Sequence, residues 1–178
     1  MAIYTKTGDK GKTKVFDKKS GELRPISKSS CKIASIGALD ELNSYLGVIK
    51  STTVDKDIIN KVEEMQSNLF TINSILAGGK LNFSKLKTKK LEKQIDIWEG
   101  TLPVLKNFIF YGGSPLASQV FYARALCRKA ERLLVGYSKI YKVSPTIFTY
   151  INRLSDYLFM LARDINFTLK VKESAWRG

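Results

Sequence analysis

Two stretches carry residues whose type and spacing could do chemistry on an anion. Near the N-terminus, "YTKTGDKGKT" (residues 4–13) holds two glycines able to take positive φ, three threonine hydroxyls, three lysines and one aspartate. Its last three residues, Gly11, Lys12 and Thr13, match the end of a Walker A motif. That motif also needs a glycine five positions earlier, where Lys6 stands, so the stretch is not a P-loop. Backbone N–H groups could still wrap an anion there. The second stretch is "ARALCRKAER" (123–132), in which Arg124, Arg128 and Arg132 recur at i, i+4 and i+8 with Lys129 and Glu131 beside them. On a helix such a row lies along one side, and each guanidinium offers a planar fork to phosphate oxygens. A solvated helix face with one internal Arg–Glu pair is the plainer alternative.

The absence of histidine narrows the chemistry further. It removes a Ser-His triad, an imidazole general base, His zinc ligands and an axial imidazole for any metallocofactor. The two cysteines, Cys31 and Cys127, are far apart and form no CxxC pair, which fits a reducing compartment and no thiolate metal site. Neither an apolar run long enough for a membrane span nor a secretory signal pattern is found, and a cytoplasmic protein is expected. The net charge of +14 permits nucleic acid, an anionic membrane surface or a polyanionic small substrate as partner. Lysine clusters such as "KLKTKKLEK" (85–93) also serve as solvated helix faces.

The elements that must position these groups are helices. Ile33, Ile36, Leu39, Leu42, Leu46 and Ile49 form one apolar stripe, and Ile58, Val62, Met65, Leu69, Ile72 and Leu76 form a second, stopped by Gly78 and Gly79. A third helix is predicted from about Leu86 to Gly100, with Leu91, Ile95 and Trp98 on one face. After Pro103, "FIFYGGSP" (108–115) is an apolar extended piece closed by two glycines. Ser114 then stands as N-cap, with Pro115 at the first helical position. The fourth helix buries Leu116, Val120, Ala123, Cys127, Ala130 and Leu134 as far as Gly136. The fifth, from Pro145, buries Tyr150, Leu154, Tyr157, Leu158, Leu161 and Ile165. Asn152 and Asp156 share a face of the fifth, with Arg153 one turn from Asp156, and Asp40 and Glu41 interrupt the first stripe, where one could pair with an arginine of another helix or subunit. Five helices with short connections and almost no strand predict a single all-α antiparallel bundle. The helical bundle would occupy 30–169, between an N-terminal segment, 1–29, and a tail, 170–178.

"YTKTGDKGKT", "SIGALDELNSYLG" (35–47), "FIFYGGS", "ARALCRKAER" and "INRLSDYLFMLAR" (151–163) together resemble, in order and spacing, the PduO-type ATP:cob(I)alamin adenosyltransferases. The resemblance implies a five-helix, ferritin-like bundle, typically a homotrimer with active sites between subunits. It implies transfer of the 5′-deoxyadenosyl group of ATP to the cobalt of cob(I)alamin, with Mg²⁺ accompanying ATP and a corrinoid reductase as a possible partner. Thr5, Lys6, Thr7, Gly8 and Thr13 would surround the ATP phosphates. Lys28, twelve residues before Asp40, would touch the nucleotide, as would Arg128, Lys129, Glu131, Arg132 and Asn152. Asp40 and Arg124 match a salt bridge joining two subunits beside the active site. Phe108 matches the aromatic residue that packs beneath the corrin and helps displace its lower axial base, with Tyr111 and the tail residue Trp176 also near the corrin. Two positions depart from the pattern. Tyr111 replaces the proline usual before the glycine pair, and Lys129 replaces the second arginine of "CRRAER", keeping the charge and losing the fork. Without the resemblance, the residues support a basic helical bundle with an anion site. A nucleic-acid-binding module and a carrier without catalysis are then the alternatives.

Overall fold

The computed structural model describes residues 6, 8–17 and 20–177. A β-hairpin of β1 (Lys12–Asp17) and β2 (Glu22–Ser27) precedes five helices: α1 (Cys31–Ser51), α2 (Lys56–Ala77), α3 (Leu86–Thr101), α4 (Pro115–Ser138) and α5 (Pro145–Thr168). Each predicted helix is present. Helices α4 and α5 form the central pair, α1 packs on α4, α2 on α1, and α3 on α5. The predicted stripes meet along these seams. Leu39, Leu42, Leu46 and Ile49 are fully buried, as are Val120, Ala123, Cys127 and Leu134 on α4 and Tyr150, Leu154 and Leu158 on α5. Burying each such leucine or isoleucine contributes about 1.5–3 kcal/mol, which outweighs the weak helix propensity of the β-branched members. Cutting Leu46 to alanine would cost about 2–5 kcal/mol.

The helix ends follow the local chemistry. Asp55 caps α2 by accepting hydrogen bonds from the amides of Asp57 and Ile58, and the Ser114 side chain accepts from Ala117 N at 3.2 Å, with Pro115 beginning α4. Gly78 ends α2 at φ +114°, a left-handed conformation that a side chain would strain.

The hairpin was not read from the sequence. Its antiparallel register pairs Thr13 with Ile26 and Val15 with Arg24, and Gly21, at φ +73°, donates its amide to Asp17 O at 2.8 Å. Lysines at alternate positions mask the two-residue period of β1, so the stretch reads as a basic loop. The hairpin also confirms the exclusion of a P-loop, because Gly11-Lys12-Thr13 leads into a strand rather than a helix. The hairpin rests on the end of α2. A β-carbon on Gly78 would lie 2.5 Å from the carbonyl oxygen of Phe16.

Candidate active site

The hairpin brings part of the predicted nucleotide segment together. Gly11, at φ +72°, donates its amide to Gly8 O at 3.3 Å and accepts at its own oxygen from Lys28 N at 2.9 Å. This turn places the Lys28 ammonium above Gly8, where a β-carbon would sit 3.3 Å from Nζ. Lys28 therefore stands beside the glycine turn, although the strands separate the two in sequence. Lys6 is exposed, at φ +57°, and Thr13 is half-buried on β1. Thr5 and Thr7 lie outside the described residues.

The helix pair α4–α5 carries the polar row. Arg124 is half-buried, while Arg128 and Arg132 are exposed, and at 1.5 Å per residue the row spans about 12 Å. Glu131 does not pair with an arginine of its own helix. Its Oε1 accepts from Asn152 Nδ2 at 2.9 Å, which ties α4 to α5. Lys129 Nζ lies 2.6 Å from Glu41 Oε2, so the acid of α1 finds a lysine rather than an arginine. Both partners are about half exposed, so the pair is worth at most about 1 kcal/mol and yields readily to a competing phosphate. Arg153 donates to Asp156 Oδ2 at 2.7 Å and to Glu92 Oε1 at 3.2 Å. Partial burial disfavours its charge, but these two carboxylates outweigh that and raise its pKa. Asp40 is exposed, and among the described residues neither it nor Arg124 makes an ion pair within the chain.

At the Arg124 end of the row opens a cleft of about 1130 Å³ between the end of α3, the segment after Pro103, α5 and the C-terminal tail. Phe108 stands at it with 79% of its surface exposed, beside the exposed Val104, Tyr111 and Trp176, so that the apolar exposure is clustered at the cleft rather than scattered. The tail runs antiparallel to its segment. Phe110 N donates to Ser174 O at 2.9 Å, Trp176 N donates to Phe108 O at 2.7 Å, and Ile109 pairs with Ala175 between them. This brings Trp176 to the cleft beside Phe108.

Tyr111 has its own anchorage. Its ring lies 5.2 Å from that of Phe121 and 6.4 Å from that of Phe159, and the Arg124 guanidinium stacks 4.9 Å above it. The backbone freedom gained by lacking proline is thus offset by aromatic and cation–π contacts.

Three residues that the sequence left unremarked hold this region. Arg163 is 5% exposed and makes a forked pair with Glu173, at 2.8 and 3.1 Å, while also donating to Pro103 O at 2.7 Å. The Asn166 side chain accepts from Ser114 N at 2.9 Å and donates to Gly112 O at 2.8 Å. Gly113, at φ +107°, passes so close to that carboxamide that any β-carbon would collide with it. The burial of Asn166 was legible, since it continues the i+4 series Leu154, Leu158, Ala162. Its partners were not. Among the described residues no group of three or more Cys, Asp or Glu is placed to hold a metal ion. No helix is long and apolar enough to cross a membrane among the described residues.

The family model for cobalamin adenosyltransferase matches residues 3–165. The corrinoid adenosyltransferase of Bacillus subtilis (strain 168) is 35% identical over 177 residues, covering 93% of this chain and 87% of that protein. The corrinoid adenosyltransferase PduO of Citrobacter freundii is 37% identical over 170 residues, covering 92% of this chain and 49% of that longer protein, so the chain spans about half of it. Among solved structures, a variant PduO-type ATP:corrinoid adenosyltransferase from Lactobacillus reuteri, complexed with cobalamin and ATP, superposes with a TM-score of 0.92 at 33% identity, covering 99% of this chain and all of that one. The polar row, the exposed aromatic at its end and the matches over nearly the whole length agree: the chain belongs to the cobalamin adenosyltransferase family.

Proposed function

We propose that the α4–α5 row binds the triphosphate of ATP and that the Phe108 cleft takes the corrin, in an ATP:corrinoid adenosyltransferase. The enzyme transfers the 5′-deoxyadenosyl group of ATP to the cobalt of cob(I)alamin, giving adenosylcobalamin and triphosphate. The observation that carries the site reading is the exposed Phe108 at a large cleft that Arg124 joins to the row of arginines. The chemistry suits a chain without histidine. Cob(I)alamin attacks the 5′ carbon with its own electron pair, the cobalt–carbon bond forms, the carbon–oxygen bond breaks, and its electrons leave on triphosphate. No proton moves, so no general base is needed. The protein's tasks are alignment and neutralisation of the leaving group.

In this reading Arg128, Arg132, Lys129, Lys28 and the N-terminal turn with Lys6, Gly8 and Thr13 hold the phosphates of MgATP. Asn152 fixes the Glu131 carboxylate at the nucleotide. Phe108, with Tyr111 and Trp176 nearby, forms the apolar shelf that excludes the lower axial base of the corrin. Residues 1–29 act as the nucleotide segment of one domain whose bundle spans 30–169. None of the cleft-lining residues comes from the described part of that segment, which supports a site shared between subunits of a homotrimer. Asp40 and Arg124, neither of which makes an ion pair among the described residues of its own chain, are suited to pair across that interface. A separate corrinoid reductase would supply the electron.

An anaerobic absorbance assay tests the proposal: reduced cobalamin and MgATP, with and without protein. Protein-dependent loss of the cob(I)alamin spectrum and formation of a light-sensitive product is expected. Saturable ATP binding without product would leave a nucleotide carrier instead.

A further inference from the structure

Phe108 is 79% exposed, so few side-chain contacts place its ring, and the backbone that carries it sets where the ring can reach. That backbone lies in the Pro103–Ser114 segment, whose two ends are fastened by two residues one turn apart on α5. At the first end, Arg163 donates to Pro103 O. At the other, Asn166 clasps Gly112 O and Ser114 N. The middle is held by the tail strand, through Phe110 N to Ser174 O and Trp176 N to Phe108 O. The tail strand is held in turn by Glu173 on the Arg163 fork. Arg163 is thus the common anchor of the segment and of the strand that braces it. A buried arginine that gives two N–H groups to a carboxylate and a third to a backbone carbonyl cannot shift without losing these bonds, so it holds both partners in place.

We infer that Arg163, Glu173 and Asn166 are positioning residues for Phe108, a latch that sets the corrin shelf without touching the nucleotide. This rests on the reading of Phe108 as that shelf. Removing the latch leaves the α4 row intact, so ATP binding stays while the chemistry that depends on the ring's position declines.

The test uses the full chain with Glu173→Gln and Arg163→Lys, compared with Phe108→Ala and with the double variant Phe108→Ala/Glu173→Gln. Glu173→Gln keeps a hydrogen-bond acceptor opposite the Arg163 fork, and a thermal melt followed by circular dichroism on each variant separates loss of the latch from loss of the fold. Each latch variant is expected to bind ATP within about twofold of the parent and to lose about tenfold or more in turnover starting from cob(II)alamin. With ATP and cob(II)alamin bound, electron paramagnetic resonance should show more of the nitrogen splitting that reports a retained lower base. In the double variant, Glu173→Gln should add less than about twofold to the loss from Phe108→Ala, because both act through one ring. A full tenfold further loss, or Glu173→Gln indistinguishable from the parent in turnover and splitting, overturns the latch. A parent protein that forms no adenosylcobalamin overturns the shelf reading and the latch with it.

Discussion

The proposed nucleotide side and the proposed corrin side of this site are built in opposite ways. On α4, Arg128 and Arg132 are long charged side chains on a backbone that the buried stripe of Ala123, Cys127, Ala130 and Leu134 would hold in place regardless. Around Phe108 the side chain is bare, and the backbone is held by hydrogen bonds from residues distant in the chain. A substitution on the first side removes one contact and its effect stops there. On the second, in the proposed reading, a change well away from the cleft would displace the ring proposed to meet the corrin, so loss of charge would disable one half and loss of position the other.

The sharpest way to break this contrast is at the charged end. Arg128→Ala should lower kcat/KM for ATP by about 10²–10³-fold in steady-state assays with cob(I)alamin. Its stability should stay within about 0.5 kcal/mol of the parent, since the residue is exposed. A twofold effect would remove Arg128 from the phosphate site. Next comes Phe108→Ala, expected to cost about 10²-fold in turnover from cob(II)alamin while an ATP titration stays unchanged. Equal turnover would end the shelf role. Gly113→Ala forces a β-carbon into the Asn166 carboxamide at an unfavourable φ. A stability loss of about 1–3 kcal/mol in urea unfolding should follow, with ATP affinity again retained. Coupled loss of ATP binding would show that the two halves are not separate.

The smallest effect concerns Asp164 on α5. Burial raises its carboxyl pKa, offset only partly by a hydrogen bond from Trp98 and the charge of Lys61, with Asp55 adding to the rise. The folded chain therefore holds this proton more tightly than the unfolded chain. Its favourable contribution is complete below the ordinary value of about 3.9 and is lost as pH rises through the higher folded value. Asp164→Asn should compare better with the parent at about pH 7 than at about pH 4 in urea unfolding, and equal differences at both would refute the shift.

Much of the fold was legible because helix periodicity is local. Leu39 to Ile49 and Leu154 to Ile165 announce their faces within a few turns, and Ser114-Pro115 announces where α4 begins. The arginine row was readable for the same reason, since helical spacing fixes which side chains share a face, whereas the Glu131–Asn152 bond crosses from α4 to α5 and was not. The hairpin was hidden by lysines at alternate positions. The latch was hidden because Arg163 and Pro103 lie 60 residues apart and Asn166 and Gly112 54, so only the packed chain reveals that they meet. Glu173 reads in sequence as one more charge near a terminus, and only the buried fork opposite it gives it a task.

Gly78 has a further meaning for anyone reading variants of this protein. Position 78 touches none of the proposed ligand contacts, yet it is where the strand leading from the glycine turn comes to rest on the bundle, through the Phe16 carbonyl. A side chain there is refused twice, by the backbone angle and by the space. A lesion at this helix end would tilt the hairpin with every residue proposed to contact phosphate still present, and a binding assay would report it as a nucleotide defect although its origin is architectural.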